Sequence, residues 1–184
     1  EFSRKMKSDA FLVKEILEFR LRKFLDYEGG RDIKEVLCVE QPMETTISLA
    51  GRQMQFKCKI DRIDRLRDES LLILDYKTGG SDIMLAGLER LESLELSRET
   101  IKKYVKSFQL PLYLYFVKTE TGEHPINAAL YNLRNIGKDS GLKKFFAQDD
   151  DLDRRERLMA FFMKALGFIV SEILDPQAPF TADQ

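Results

Sequence analysis

Residues 57–79 read KCKIDRIDRLRDESLLILDYKTG, from Lys57 to Gly79, and the remainder of the chain is best read outward from them. Two runs of strand-forming residues flank the charged turn Arg67-Asp68-Glu69-Ser70, the pattern of a β-hairpin. Side chains alternate along a strand, so Asp75 and Lys77 share one face while Tyr76 points to the other. Asp75 therefore closes an otherwise apolar strand (Leu71, Leu72, Ile73, Leu74), next but one to an ammonium group. Asp64 lies three residues past Asp61, hence on the opposite face of a regular strand; it reads as structural, pairing with Arg62 or Arg65.

Strand parity sets a condition. A four-residue loop from Arg67 to Ser70 pairs Leu66 with Leu71 and puts Asp61 opposite Tyr76, on the wrong face to meet Asp75. For the two carboxylates to meet, the loop must hold an odd number of residues or one strand must carry a bulge. A carboxylate and a lysine at i, i+2 facing a second carboxylate suit metal-assisted phosphodiester hydrolysis. Mg²⁺ is a hard cation commonly held by one or two carboxylates plus substrate phosphate. Asp61 and Asp75 supply those carboxylates on this reading, with the Tyr76 carbonyl as a third oxygen; Lys77 orients the attacking water or offsets phosphate charge. The alternative is an ordinary strand-end ion pair between Asp75 and Lys77.

The Ile-Asp-Arg-Ile-Asp strand (60–64), then Leu-Asp-Tyr-Lys-Thr-Gly (74–79), then Gln-Leu-Pro-Leu-Tyr-Leu-Tyr (109–115) resembles the RecB/AddB-type branch of the PD-(D/E)XK nuclease superfamily. The three blocks occur in the family's order over roughly residues 36–131. The resemblance implies that Asp61 and Asp75 are metal ligands and Lys77 the catalytic lysine. It marks Gln109 and Tyr113 as the helix-borne polar pair of that branch, and Glu40 as the acidic residue of the preceding strand. Two features depart from the pattern. Many relatives hold an iron–sulphur cluster, but the chain has two cysteines only, Cys38 and Cys58, which excludes a cluster within it and leaves buried thiols of a reducing cytoplasm. Relatives often carry a metal-ligand histidine on an upstream helix, and none precedes Glu40 here.

The 184 residues suit one domain with a sizeable core, and 43% hydrophobic with 33% charged residues is a globular composition. The chain begins Glu1-Phe2-Ser3 without methionine, which suggests a fragment of a longer protein. No apolar run reaches transmembrane length and no signal peptide is evident, so the expected location is cytoplasmic. A net charge of −1 argues against bulk attraction to nucleic acid and leaves local patches to bind it. Lys57 and Lys59 share the parity of Asp61, so they are expected to line its face as phosphate contacts; a solvated charged face is the bland alternative.

Upstream, apolar spacing predicts an amphipathic helix over 8–26 that Gly29-Gly30 ends, then a strand over 35–48 with Pro42 marking an edge or bulge. The turn at 49–52 leads into a strand over 53–66, completing an antiparallel meander with 71–77. Glu40 is either a solvent-facing glutamate or an accessory ligand and orienter of Lys77. Downstream come helical patches over 83–96, a buried helix over 106–118 capped by Ser107, a turn holding His124, a strand over 126–135, and a long helix over 151–175. His124 reads as an exposed loop residue.

The expected architecture is α/β: a restriction-endonuclease-like small mixed sheet with an antiparallel meander, flanked by helices. The expected activity is Mg²⁺-dependent (or Mn²⁺-dependent) DNA exonuclease action in recombinational repair. A linked helicase domain or subunit is implied by the resemblance alone. The alternatives are a non-catalytic DNA-end-binding module of the same fold and an adaptation-type CRISPR nuclease.

Overall fold

Two positive-φ turns set the register of the sheet. Ala50 (φ 51°) and Gly51 (φ 73°) form a two-residue hairpin joining β1 (Ile33–Leu49) to β2 (Arg52–Leu66), and the mirror-image turn matches the natural strand twist. β2 joins β3 (Leu71–Lys77) through a tighter device. Glu69 N–H donates to the Leu66 carbonyl (3.0 Å), Leu66 N–H donates to Ser70 O (2.8 Å), and Glu69 sits at φ 67°. This is a turn followed by a left-handed residue, which makes a three-residue loop. The loop count is odd, so Arg65 pairs with Leu71 and Arg62 with Leu74. Continued by one step, that register sets Asp61 opposite Asp75, and the parity condition is met.

The computed structural model describes residues 2–79, 87–123, 125–134, 136 and 141–178, with side chains described from residue 9 onward and not for 125 and 126. Within them a five-stranded sheet runs β1-β2-β3-β4-β5, with β4 at Pro125–Asn132 and β5 at Leu142–Lys144. Only β3 and β4 are parallel. A parallel pair needs a crossover, and α2 (Leu88–Glu92), α3 (Arg98–Tyr104) and α4 (Gln109–Thr121) lie within it. α1 (Phe2–Gly29) precedes the sheet and α5 (Leu152–Leu174) follows it.

Helices cover both faces. On one, Ile63, Leu71, Ile73, Ala128 and Leu130 pack against Leu114 and Val117 of α4 and Phe161 and Phe162 of α5. On the other, Leu72, Leu74, Ala129 and Tyr131 meet Phe24 and Tyr27 of α1. β3 is buried on both sides, which is why its sequence reads as a continuous apolar run rather than an alternation.

β1 and β2 change faces partway along. Met54, Phe56, Cys58 and Ile60, all even-numbered, face the α4/α5 side, yet beyond Asp61 it is Ile63 that does so, while Arg62 and Asp64 turn toward α1. The switch falls where Glu40, at φ 56°, interrupts the β1 ladder between Val39↔Arg62 and Gln41↔Ile60.

Several boundaries differ from the sequence reading. α1 begins six residues before residue 8 and runs on to Gly29, the first of the glycines expected to end it. α4 starts three residues later than expected, with Phe108 at its N-cap, although Ser107 Oγ does accept from Gln109 N–H (3.1 Å). The described part of the patches read over 83–96 holds the short α2; α3 lies beyond them at Arg98–Tyr104, outside the sequence reading, and starts from a Ser97–Thr100 capping box. β5 was not anticipated either, since three residues hold too little pattern to read. His124, residues 83–86 and Asn135 lie outside the described residues.

Candidate active site

The end of β3, the adjoining part of β2 and the first turn of α4 bring five of the expected side chains together. Asp61 Oδ2 accepts from Tyr76 N–H at 2.8 Å, in the place where a continued ladder would offer a backbone carbonyl. The side chain thereby substitutes for the sheet and splits β2 from β3. In a strand the N–H and C=O of one residue point to the same neighbour, so the Tyr76 carbonyl is also directed to the Asp61 side of the split. Asp75 is buried, with Oδ2 2.6 Å from Lys77 Nζ and Oδ1 accepting from Gln109 Nε2 at 2.7 Å. Lys77 Nζ, one-third exposed, also donates to Gln109 Oε1 at 3.0 Å. Gln109 Nε2 lies 2.8 Å from Tyr113 OH, one helical turn on, and that hydroxyl donates to the Lys59 carbonyl at 3.1 Å.

Gln109 is therefore the hinge of the network. Its amide carbonyl accepts a hydrogen bond from the lysine ammonium while its NH₂ group donates to the aspartate, so one planar group fixes the relative positions of cation and anion. Burial pushes the Asp75 carboxyl above the usual carboxylate range; Lys77 draws it back, and the nearby charge of Asp61 adds to the rise. Burial likewise raises the Tyr113 hydroxyl, keeping it a protonated donor at neutral pH.

A second cluster backs the first across the sheet. Asp64 is fully buried between Arg62 Nε (2.5 Å) and Arg31 Nη2 (2.9 Å). Glu28 closes the ring with both arginines, and Arg62 Nη1 donates to Tyr76 OH at 3.2 Å. The sequence offers Arg62 or Arg65 as the partner of Asp64, and the fold takes Arg62; Glu28 and Arg31, at and just beyond the end of α1, are not legible there, because nothing local marks them.

Three expected residues lie apart. Glu40 is exposed and ion-paired with the Lys59 ammonium; it does not orient Lys77, whose partners are Asp75 and Gln109. Lys57 pairs with Glu44 at 2.8 Å. The parity argument that put Lys57 and Lys59 on the face of Asp61 fails, because the face switch at Glu40 and Asp61 leaves them on the side turned away from α4.

Asp61, Asp75 and the Tyr76 carbonyl form an all-oxygen set suited to a hard divalent cation. Asp75 Oδ2 is buried and its charge partner is the Lys77 ammonium, so this oxygen already sits against a cation, as a metal ligand would. No three His, Cys, Asp or Glu side chains converge as a metal cage among the described residues.

A sequence model of the PD-(D/E)XK nuclease superfamily matches residues 3–184. The chain belongs to that superfamily, and its mixed sheet between helices is the restriction-endonuclease-like fold. No curated protein matches. Among solved structures it is similar to one titled "Crystal structure of SSO0001", at 15% identity over 92% of this chain and 71% of that one, with a TM-score of 0.33.

Proposed function

We propose that the chain is a Mg²⁺-dependent deoxyribonuclease acting exonucleolytically on DNA ends in recombinational repair, beside a helicase domain or subunit. The observation that carries the nuclease reading is the joined Asp75–Lys77–Gln109–Tyr113 network, with Asp61 holding the Tyr76 backbone beside it. End processing and the helicase rest on the RecB/AddB-like order of the three motif blocks. Asp61, Asp75 and the Tyr76 carbonyl would hold the cation, Mg²⁺ or Mn²⁺. Bound there, it supplies an activated water and charge neutralisation at the phosphate. Lys77 is the mobile member: its ammonium can leave Asp75 for a phosphate oxygen or an attacking water while Gln109 keeps the carboxylate in place. Tyr113 anchors Gln109 to the β2 backbone, so the amide does not rotate away when Lys77 moves.

The test is digestion of linear DNA with Mg²⁺ or Mn²⁺. Asp75→Ala and Lys77→Ala should each lower the rate at least about 10²-fold with the fold retained by circular dichroism. Undiminished digestion by either variant sinks the assignment. The alternative is a non-catalytic DNA-end-binding module of the same fold, in keeping with the absence of three converging His, Cys, Asp or Glu side chains among the described residues. That reading requires DNA binding with no digestion at any divalent metal concentration.

A further inference from the structure

The opposite face of β3 carries a feature that the nuclease reading leaves unused. A cavity of about 630 Å³ lies between α1 and the ends of β3 and β4, walled by Leu17, Leu21, Phe24, Tyr76 and Leu133, with Arg20 and Arg134 among its lining. Both arginines are exposed, and neither makes an ion pair among the described residues. By contrast Lys57 and Lys59, the cations the sequence singled out for phosphate, are neutralised by Glu44 and Glu40. Resting on the nuclease reading, we infer that this cavity binds the unpaired terminal nucleotide of the DNA substrate, its base against the apolar wall and its phosphates on Arg20 and Arg134.

Three observations point to that ligand. First, the wall is aromatic and preorganised. Tyr76 stacks on Tyr131 (5.6 Å, 30°), meets Phe24 edge-on (6.2 Å), and has its hydroxyl held by Arg62 Nη1, so the platform is ordered before a base arrives. Aromatic platforms with flanking cations are how proteins hold single-stranded nucleic acid without reading sequence. Second, the two sites share one strand. Asp75 and Lys77 leave one face of β3 and Tyr76 the other, and the cavity reaches Thr78 at the strand's end. From Tyr76 to Thr78 is about 7 Å at roughly 3.3 Å per residue, so a strand end wrapped around this tip can reach both faces. Third, the charge fits. An apolar pocket with two exposed arginines, neither ion-paired among the described residues, suits a ligand that is flat and apolar in one part and anionic in another, which describes a nucleotide.

The cavity would thus favour ends with a splayed base and hold the adjacent phosphodiester near Asp75. It makes Tyr76 a positioning residue through its side chain, apart from the role of its backbone.

The test uses the 184-residue chain in EDTA, so that binding is read without catalysis. A dye-labelled single-stranded dT12 is compared by fluorescence anisotropy with the same oligonucleotide carrying abasic sites at both ends. The protein should bind the abasic form about tenfold more weakly. Leu17 and Leu21 are 60% and 56% exposed, so Leu17→Asp/Leu21→Asp spoils the wall while sparing the core. That variant should bind both oligonucleotides equally and weakly. Arg20→Ala/Arg134→Ala should weaken both and flatten the salt dependence. Equal affinity of the unaltered chain for the two oligonucleotides overturns the proposal. So does a dimer in sedimentation that the aspartate variant dissolves with no change in oligonucleotide binding, which would assign the cavity to a second copy. Digestion of linear DNA is measured in parallel. A chain that discriminates the abasic ends but never cuts keeps this site and loses the nuclease reading, whereas one that cuts without discriminating loses this site alone.

Discussion

At the scale of single residues, the site is held in tension by Asp75. Its carboxylate is buried, and the net effect of burial, Lys77 and Asp61 is to disfavour its charge. A carboxylate raised in the fold destabilises the native state once ionised, and the penalty is relieved as the pH falls through its folded value. Asp75→Asn removes the charge but keeps the shape and the capacity to accept from Gln109. It should therefore leave the melting temperature unchanged or raised while abolishing digestion. A clear loss of stability would show that the Lys77 pair outweighs desolvation. Asp64 matters through its partners, because Arg62 and Arg31 are both committed to it in the interior. Asp64→Ala strands those two cations and should cost about 3–5 kcal/mol in chemical denaturation.

At the scale of elements, the β2–β3 hairpin decides whether there is a site at all. Side chains alternate with period two, so one alanine inserted between Arg65 and Leu66, with the three-residue loop kept, shifts the register by one and sets Asp61 opposite Tyr76, turned away from Asp75. The insertion should abolish digestion while the strand signal in circular dichroism persists. Glu69 marks the same turn from the stability side: its positive φ strains a side-chain residue, and Glu69→Gly should stabilise the fold by about 0.5–1 kcal/mol. The end of α1 is pinned by Glu28. Burial works against the Glu28 charge, but the hydrogen bonds and charges of Arg31 and Arg62 prevail and hold its carboxyl below the usual value. For a depressed carboxylate the stabilisation is present above the unfolded value and disappears as the pH falls through the folded one. The stability difference between the unaltered chain and Glu28→Gln should accordingly be full at neutral pH and vanish in acid, below the ordinary glutamate range.

At the scale of the whole molecule, stability is unevenly spread. α5 buries Leu158, Phe161, Phe162, Ala165 and Leu166, whereas α1 is anchored by Phe24, Tyr27 and the Glu28 ion pairs at its far end. Upstream, Phe11, Leu12, Ile16 and Leu17 remain exposed. Amides of residues 10–20 should exchange with solvent far faster than those of 158–170 in native-state hydrogen exchange, because local opening there breaks few apolar contacts. No helix among the described residues is long and apolar enough to cross a membrane. That bears on how the exposed apolar side of α1 is read: its hydrophobicity is patchy, interrupted by Lys14, Glu15, Glu18, Arg20 and Arg22.

The sequence by itself determined the elements that depend on local pattern. Apolar runs and turn residues marked the three-stranded meander, the buried helix that carries Gln109 and the long C-terminal helix, because period two and period 3.6 are written in consecutive residues. The motif blocks, with Gln109 and Tyr113 four apart, placed the residues that the fold gathers around Asp75 and Lys77. What only the tertiary structure decided depends on backbone angles and on partners distant in the chain. The left-handed conformation of Glu69 made the loop odd and satisfied the parity on which the carboxylate pair depends. The same conformation at Glu40 reversed the faces of β1 and β2, which removed Lys57, Lys59 and Glu40 from the site. Neither residue is a glycine, so nothing in the sequence announced a positive φ. Glu28 became a partner of Arg62, and Arg31 a partner of Asp64, because α1 packs across the sheet, a contact between segments more than thirty residues apart that no local periodicity records.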